Sequence, residues 1–159
     1  MPTLTIRPVE PQETALLHDF LRRVAQYEHM EDELICSVDD LRRELFERNS
    51  AEAVFACEGG EPVGFAVFFH KFSTFQGRRG LFLEDLFVLP EKRGRGYGRA
   101  LLRHLAALTV ERDCARLEWN CLDWNAPSLA FYRSLGATVL GDRTDHRLEG
   151  AALRALASG

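Results

Sequence analysis

From Leu81 to Leu108 the chain passes through an apolar run, a turn carrying three glycines and an amphipathic run, an order that few folds accommodate. Leu81–Leu89 is apolar except at Glu84 and Asp85 and reads as a buried strand. After Pro90-Glu91-Lys92 come Arg93-Gly94-Arg95-Gly96-Tyr97-Gly98-Arg99, and Leu101, Leu102, Leu105 and Leu108 then recur at helical spacing. Glycines at 94, 96 and 98 permit unusual backbone angles and let a ligand approach the main chain. The N–H groups opening the helix point outward, where the helix dipole favours an anion. That dipole contributes only ~0.3–1 kcal/mol, or ~2 when partly buried, so several N–H bonds and the arginines must add to it. The unit is expected to hold a pyrophosphate on Arg93–Arg99, and a plain glycine turn is the alternative. Arg99 stands where G-x-G-x-x-G needs its third glycine, and G-x-x-x-x-G-K-[ST] does not occur. What fits is R-x-x-G-x-G, from Arg93 to Gly98.

Around this unit the patterning predicts one mixed α/β domain spanning residues 1–159. Thr3–Ile6 is a first strand. A helix follows with Leu16, Leu17, Phe20, Leu21 and Val24 on one face. Ser37 with Asp40 forms a capping-box pattern for a second helix carrying Leu41, Leu45 and Phe46. Ala51–Cys57 and Val63–His70 are strands separated by a Gly59-Gly60-Glu61-Pro62 turn, and Phe72–Gly80 is expected to be a loop. Arg116–Cys121 is a further strand. A short helix begins at Asn125-Ala126-Pro127 and stops at Gly136. Ala137–Leu140 and His146–Glu149 are expected to close the sheet as a pair of strands.

Composition removes several function classes. The formal net charge of −4 disfavours a nucleic-acid partner, which needs a broad basic face. No apolar run reaches the ~20 residues that span a bilayer, so no membrane partner is expected. The strand-like start from Met1 to Arg7 is not an apolar signal segment, which makes the cytoplasm the expected location. Cys36, Cys57, Cys114 and Cys121 lack C-x-x-C spacing and the five histidines lack ligand spacing, so no metal is expected.

Leu83-Glu84-Asp85-Leu86-Phe87-Val88-Leu89-Pro90 with the following loop resembles the signature of the GCN5-related N-acetyltransferases. Leu122-Asp123-Trp124-Asn125-Ala126-Pro127-Ser128-Leu129-Ala130-Phe131-Tyr132 resembles the second half of that family's site. The likeness runs from about Ile6 to about Ala151. Within the family it is nearest to the diamine (spermidine/spermine) and thialysine acetyltransferases, as Gln26-Tyr27-Glu28-His29-Met30-Glu31 also suggests. It implies a mostly antiparallel mixed sheet flanked by about four helices and splayed between Leu81–Leu89 and Arg116–Cys121. It also implies acetyl-CoA as donor, a small amine as acceptor, and a homodimer. Main-chain groups of Leu86, Phe87 and Val88 would hold the pantetheine arm, Asn125 and Ser128 would assist, and Arg93, Gly94, Arg95, Gly96, Tyr97, Gly98 and Arg99 would hold the pyrophosphate.

Acetyl transfer to an ammonium needs a proton removed from nitrogen and one supplied to sulfur. The resemblance implies that Tyr132 is the acid, and a core-packing Phe131-Tyr132 pair is the alternative. Glu84 is expected to act as base, through water, and Asp85 to attract the amine. A structural pairing of these carboxylates with Arg78 or Arg79 is the alternative. Tyr27 and Glu28 would lie at the acceptor end. Two departures from the branch bear on acceptor choice: Ser73–Arg79 replaces an Asp-Pro-Trp-like segment, and Asp145-His146 stands where a Gly-Trp pair is usual. An acetyltransferase for a protein N-terminus or an antibiotic, and a silent acetyl-CoA-binding module, are the competing functions.

Overall fold

The computed structural model describes residues 3–159, which divide into two compact units, one ending at Asn120 and one from Cys121 to Gly159. The first unit carries a single sheet of β1 (Leu4–Pro8), β2 (Glu52–Glu58), β3 (Glu61–Ser73), β4 (Arg78–Val88) and β5 (Leu117–Trp119), in that spatial order. Pairing is antiparallel from β1 to β4, and β5 joins β4 in parallel. Its helices are α1 (Thr14–Tyr27), α2 (Val38–Arg42), which continues as a π-helical turn over Arg43–Glu47, and α3 (Tyr97–Glu111).

Val54–Glu58 and Val63–Phe68 are buried at every residue, which requires cover on both sheet faces. On one face Leu17 and Phe20 of α1 join Leu45, Phe55, Phe65 and Phe87 in the core. The Phe20 ring stacks on Phe65 with centroids 6.1 Å apart and meets Phe55 edge-on at 5.9 Å. On the other face α3 buries Leu101, Leu102 and Leu105. A side chain at Gly98 would touch Leu86 there at 3.8 Å. The capping box at α2 forms as the spacing predicts: Asp40 N–H donates to Ser37 Oγ at 3.0 Å and Ser37 N–H to Asp40 Oδ2 at 2.9 Å.

Several boundaries differ from the sequence expectation. The supposed loop Phe72–Gly80 is the outer end of a hairpin, with Phe72 opposite Arg79 and Ser73 opposite Arg78. Backbone pairing needs no apolar pattern, so a polar, glycine-flanked stretch can carry a ladder; only the Thr74–Gly77 turn, with Gly77 at φ 64°, interrupts it. The strand expected at Arg116–Cys121 is confined to Leu117–Trp119.

In the second unit, α4 (Ala126–Ser134) is capped by Asn125 and followed by Gly136 at φ 88°, as expected. The closing strands expected at Ala137–Leu140 and His146–Glu149 are not formed. Both segments are irregular, and Thr138–Gly150 is exposed throughout. Alternation alone does not make a strand without a neighbour for its backbone groups, and among the described residues neither segment is paired. A short helix, α5 (Gly150–Ala157), follows, and among the described residues the α-helices number five where about four were implied.

Phe65 has no exposed surface and packs between Phe20 and Phe87. Phe65→Ala is therefore expected to cost about 3–5 kcal/mol, read as a lower midpoint in urea unfolding at unchanged slope.

Candidate functional site

β4 is longer than its parallel neighbour. The β4–β5 ladder covers Leu81 to Leu83, opposite Leu117 to Trp119, and among the described residues β4 then runs on from Glu84 to Val88 without a partner on that edge. The main-chain groups facing the open edge follow from register. Leu89 N–H donates to Val63 C=O at 2.9 Å, so in the antiparallel alternation Phe87, opposite Phe65, also faces β3. Leu86 and Val88 face the other way. The structure thus separates the three residues expected to hold a ligand by main chain: Phe87 belongs to the β3 ladder and the core, while Leu86 and Val88 border the opening.

The glycine loop lies just beyond this edge. Gly94 (φ 76°) and Gly96 (φ 83°) are both left-handed, and nothing lies within 4 Å of where their Cβ atoms would sit. Backbone conformation, rather than crowding, therefore demands glycine at both positions. Gly96 is the N-cap of α3 and makes no side-chain capping bond, which leaves the N–H groups of the first helical turn for a ligand or water. Gly98 differs from the other two: it is inside α3 with ordinary helical geometry, at the point of approach to Leu86.

The loop's side chains are tied inward. Glu58, at the end of β2, is only 8% exposed. Its Oε2 pairs with Lys92 at 2.5 Å, and its Oε1 accepts from Arg95 at 3.1 Å and from the Tyr97 hydroxyl at 2.9 Å. The bonds from Lys92 and Tyr97, with Arg95 alongside, hold its carboxyl below the usual carboxylate range. Sequence reasoning missed Glu58 because an acidic residue ending an apolar strand beside Gly-Gly looks like a solvated turn. Arg93 turns the other way. Its Nε donates to Val88 C=O at 3.0 Å, and its guanidinium stacks over the rings of Tyr27 at 5.2 Å and Phe87 at 5.6 Å. Arg93, Tyr27 and Phe87 line an open cleft of about 370 Å³ with Arg22, Gln26 and Pro90. Tyr27, expected at the acceptor end, thus meets the first residue of the loop.

A β-bulge sets the acidic pair. Val67 lies opposite Asp85 and Phe68 opposite Leu83, so Glu84 is the extra residue on β4. Glu84 is exposed and Asp85 half-buried. Burial raises the Asp85 carboxyl to about 7, with further contributions from the negative charges of Glu84 and Glu28. Burial also raises Glu28, which follows the last turn of α1. The structure therefore brings Glu28, Glu84 and Asp85 into one electrostatic neighbourhood. Arg78 does not serve as their partner, because its guanidinium binds the Asp113 carboxylate at 2.7 Å and the Asp113 carbonyl at 3.1 Å. Glu84, expected as the base, and Asp85, expected to attract the amine, are thus adjacent at the bulge, one exposed and the other half-buried.

In the second unit Asn125 is buried, and its Oδ1 accepts from Ser128 N–H at 3.4 Å, so Asn125 caps α4. Tyr132 is half-buried on α4 with its ring 5.7 Å from that of Phe131. Among the described residues, no group of three or more His, Cys, Asp or Glu side chains is arranged to hold a metal ion. No helix among them is long and apolar enough to cross a membrane.

Residues 15–137 match the Acetyltransferase (GNAT) family. The chain belongs to that family. It is 30% identical over 160 residues to a thialysine N-epsilon-acetyltransferase of Caenorhabditis elegans, with 99% of each chain covered. The Bos taurus protein of the same name is 30% identical over 169 residues, again with 99% of each covered. An L-ornithine N5-acetyltransferase of Arabidopsis thaliana is 36% identical over 94 residues, covering 59% of this chain and 41% of that protein. Among solved structures, an integron cassette protein from the mobile metagenome of V. cholerae superposes with a TM-score of 0.81 at 27% identity over 98% of both chains. This GNAT chain is thus an acetyltransferase with N-acetyltransferase relatives along its whole length.

The Asp85 shift carries a signed consequence. In the unfolded chain this carboxyl ionises near pH 4, and in the folded protein near 7. Between those values the folded state holds the additional proton, so this residue's contribution to stability falls as pH rises through that window. Asp85→Asn should remove this slope and stabilise the protein at pH 8 by up to about 4 kcal/mol, with little change at pH 4. Urea unfolding of both proteins across that range measures the difference.

Proposed function

We propose that this GNAT enzyme transfers an acetyl group from acetyl-CoA directly to a primary amine of a small molecule. The acceptor class is a polyamine, a diamine or a thialysine- or lysine-like amino acid. The observation that carries the proposal is the unpartnered β4 edge running straight into a left-handed glycine loop and a helix N-terminus. Leu86 and Val88 offer main-chain groups where an extended pantetheine arm can add as a strand. Gly94, Gly96 and the first turn of α3 offer N–H groups where the pyrophosphate follows. The thialysine and ornithine relatives act on amino acids that carry a side-chain amine, and their names favour that part of the acceptor class. The homodimer belongs to this reading through the family resemblance.

On this reading Glu28, Glu84 and Asp85 attract the ammonium form of the acceptor. A lysine-like amine has a pKa near 10.4, so its deprotonation at pH 7 costs about 4.6 kcal/mol. The Glu84–Asp85 pair takes that proton, with Asp85 the better matched because its own pKa lies near neutrality. The nitrogen lone pair forms the new C–N bond at the acetyl carbon and the C–S bond breaks. By the family resemblance Tyr132 gives its proton to the departing sulfur, a phenol near pKa 10 being fully protonated at neutral pH. The second proton on nitrogen leaves as the amide forms and restores the Tyr132 phenol, so the products are the amide, a neutral thiol and the one proton taken by the carboxyl pair.

Three measurements test these assignments. Acetyl-CoA should raise the melting temperature while NAD and ATP do much less, and ATP performing equally would sink the donor assignment. Tyr132→Phe should bind acetyl-CoA as the parent does and lose roughly 10²–10⁴ in turnover, whereas retention of full turnover removes the acid role. Across an acceptor panel analysed by mass spectrometry, amino acids with a side-chain amine should be acetylated ahead of N-terminal peptides and aminoglycosides. Release of no free CoA with any amine would favour a silent binding module.

A further inference from the structure

Three side chains from the loop segment converge on one buried carboxylate that lies outside it. Lys92 precedes the glycines, Arg95 sits between Gly94 and Gly96, and Tyr97 opens α3. All three end on Glu58 of β2, which is anchored through its pairing with β1 and β3. The contacts bracket both left-handed glycines. We propose that Glu58 is a positioning residue for the acyl donor: it fixes the glycine loop in its anion-binding shape before the donor arrives. Phosphate recognition then rests on the loop's main chain, and the side chains of Arg95 and Tyr97 serve as its struts. This inference rests on the acetyl-CoA reading above.

Two effects of losing the Glu58 charge oppose each other. Freed cations at Lys92 and Arg95 would attract phosphate more strongly, by about two-fold across ~8 Å of water-like medium. Releasing the loop backbone costs about ten-fold in affinity for each residue that must be ordered again on binding, and Gly94 and Gly96 lose the most freedom. Preorganisation therefore outweighs the gain in charge. Glu58→Gln keeps the size of the side chain and an acceptor for Tyr97 but cannot hold two cations.

The test compares Glu58→Gln with the parent protein. By calorimetry, CoA should bind on the order of ten-fold more weakly or worse, and the KM for acetyl-CoA should rise with kcat nearly unchanged. A truncated donor without the pyrophosphate, S-acetyl-N-acetylcysteamine, should be used equally well by both proteins. In the ligand-free protein, limited trypsin digestion read by mass spectrometry should be faster after Lys92, Arg93 and Arg95 and unchanged after Arg103 and Arg112. Unchanged CoA affinity, or equal losses with both donors, or faster cleavage at all five sites alike, would overturn the proposal. Should Glu58→Gln not fold, Tyr97→Phe removes a single strut and should weaken CoA binding several-fold; unchanged binding there would also overturn it. If the parent protein itself does not bind CoA, the donor assignment fails. Unchanged loop cleavage in Glu58→Gln would separately defeat the role of Glu58.

Discussion

The site depends on a mismatch of length between two parallel neighbours. β5 matches β4 for three residues, and among the described residues β4 then continues without a strand partner on that edge, where the Val88 carbonyl accepts from Arg93 Nε. An exposed edge of this kind is normally a hazard, because its N–H and C=O groups will pair with any extended chain. In this fold it is short and lies beside the loop that precedes α3, so an extended ligand with an anionic end is the chain it suits. The bulge at Glu84 acts on the same stretch from the β3 side. It changes the alternation ahead of Leu86 and sets which main-chain groups face the opening.

Charge around the opening is partitioned rather than spread. Toward the loop, a buried carboxylate gathers Lys92, Arg95 and Tyr97, which fixes two of the cations around the glycines. Toward the end of α1, the carboxyls of Glu28, Glu84 and Asp85 share one electrostatic neighbourhood, and Asp85 keeps its proton into the neutral range. A paired carboxylate and a crowded one thus answer burial in opposite directions. The first is pulled below its ordinary pKa by its donors and the second is pushed above it by desolvation. On the proposed function, this contrast would serve an anionic donor at one place and a cationic acceptor at the other. Arg93 joins the two regions physically, bonded to the last residue of β4 and stacked on Tyr27 beside Glu28.

Much of this was legible before any coordinates. Strand–loop–helix order, the two left-handed glycines, the Ser37 capping box and the stop at Gly136 are local features, each decided within a few residues by sterics or capping geometry. Family membership was equally readable, because the signature is contiguous along Leu83–Gly98 and Leu122–Tyr132. Tertiary structure alone decided which residues act together. The extra residue at Glu84 depends on register against β3, and the burial that raises the Asp85 carboxyl to about 7 depends on packing between segments. Glu58 is separated from Arg95 by 37 positions in the chain, a contact that no local pattern encodes. Alternating runs at Ala137–Leu140 and His146–Glu149 form no strand, because strand formation requires a neighbour that periodicity cannot supply. Local stereochemistry is written residue by residue, whereas burial, register and the field at a carboxyl arise only when distant segments are brought together.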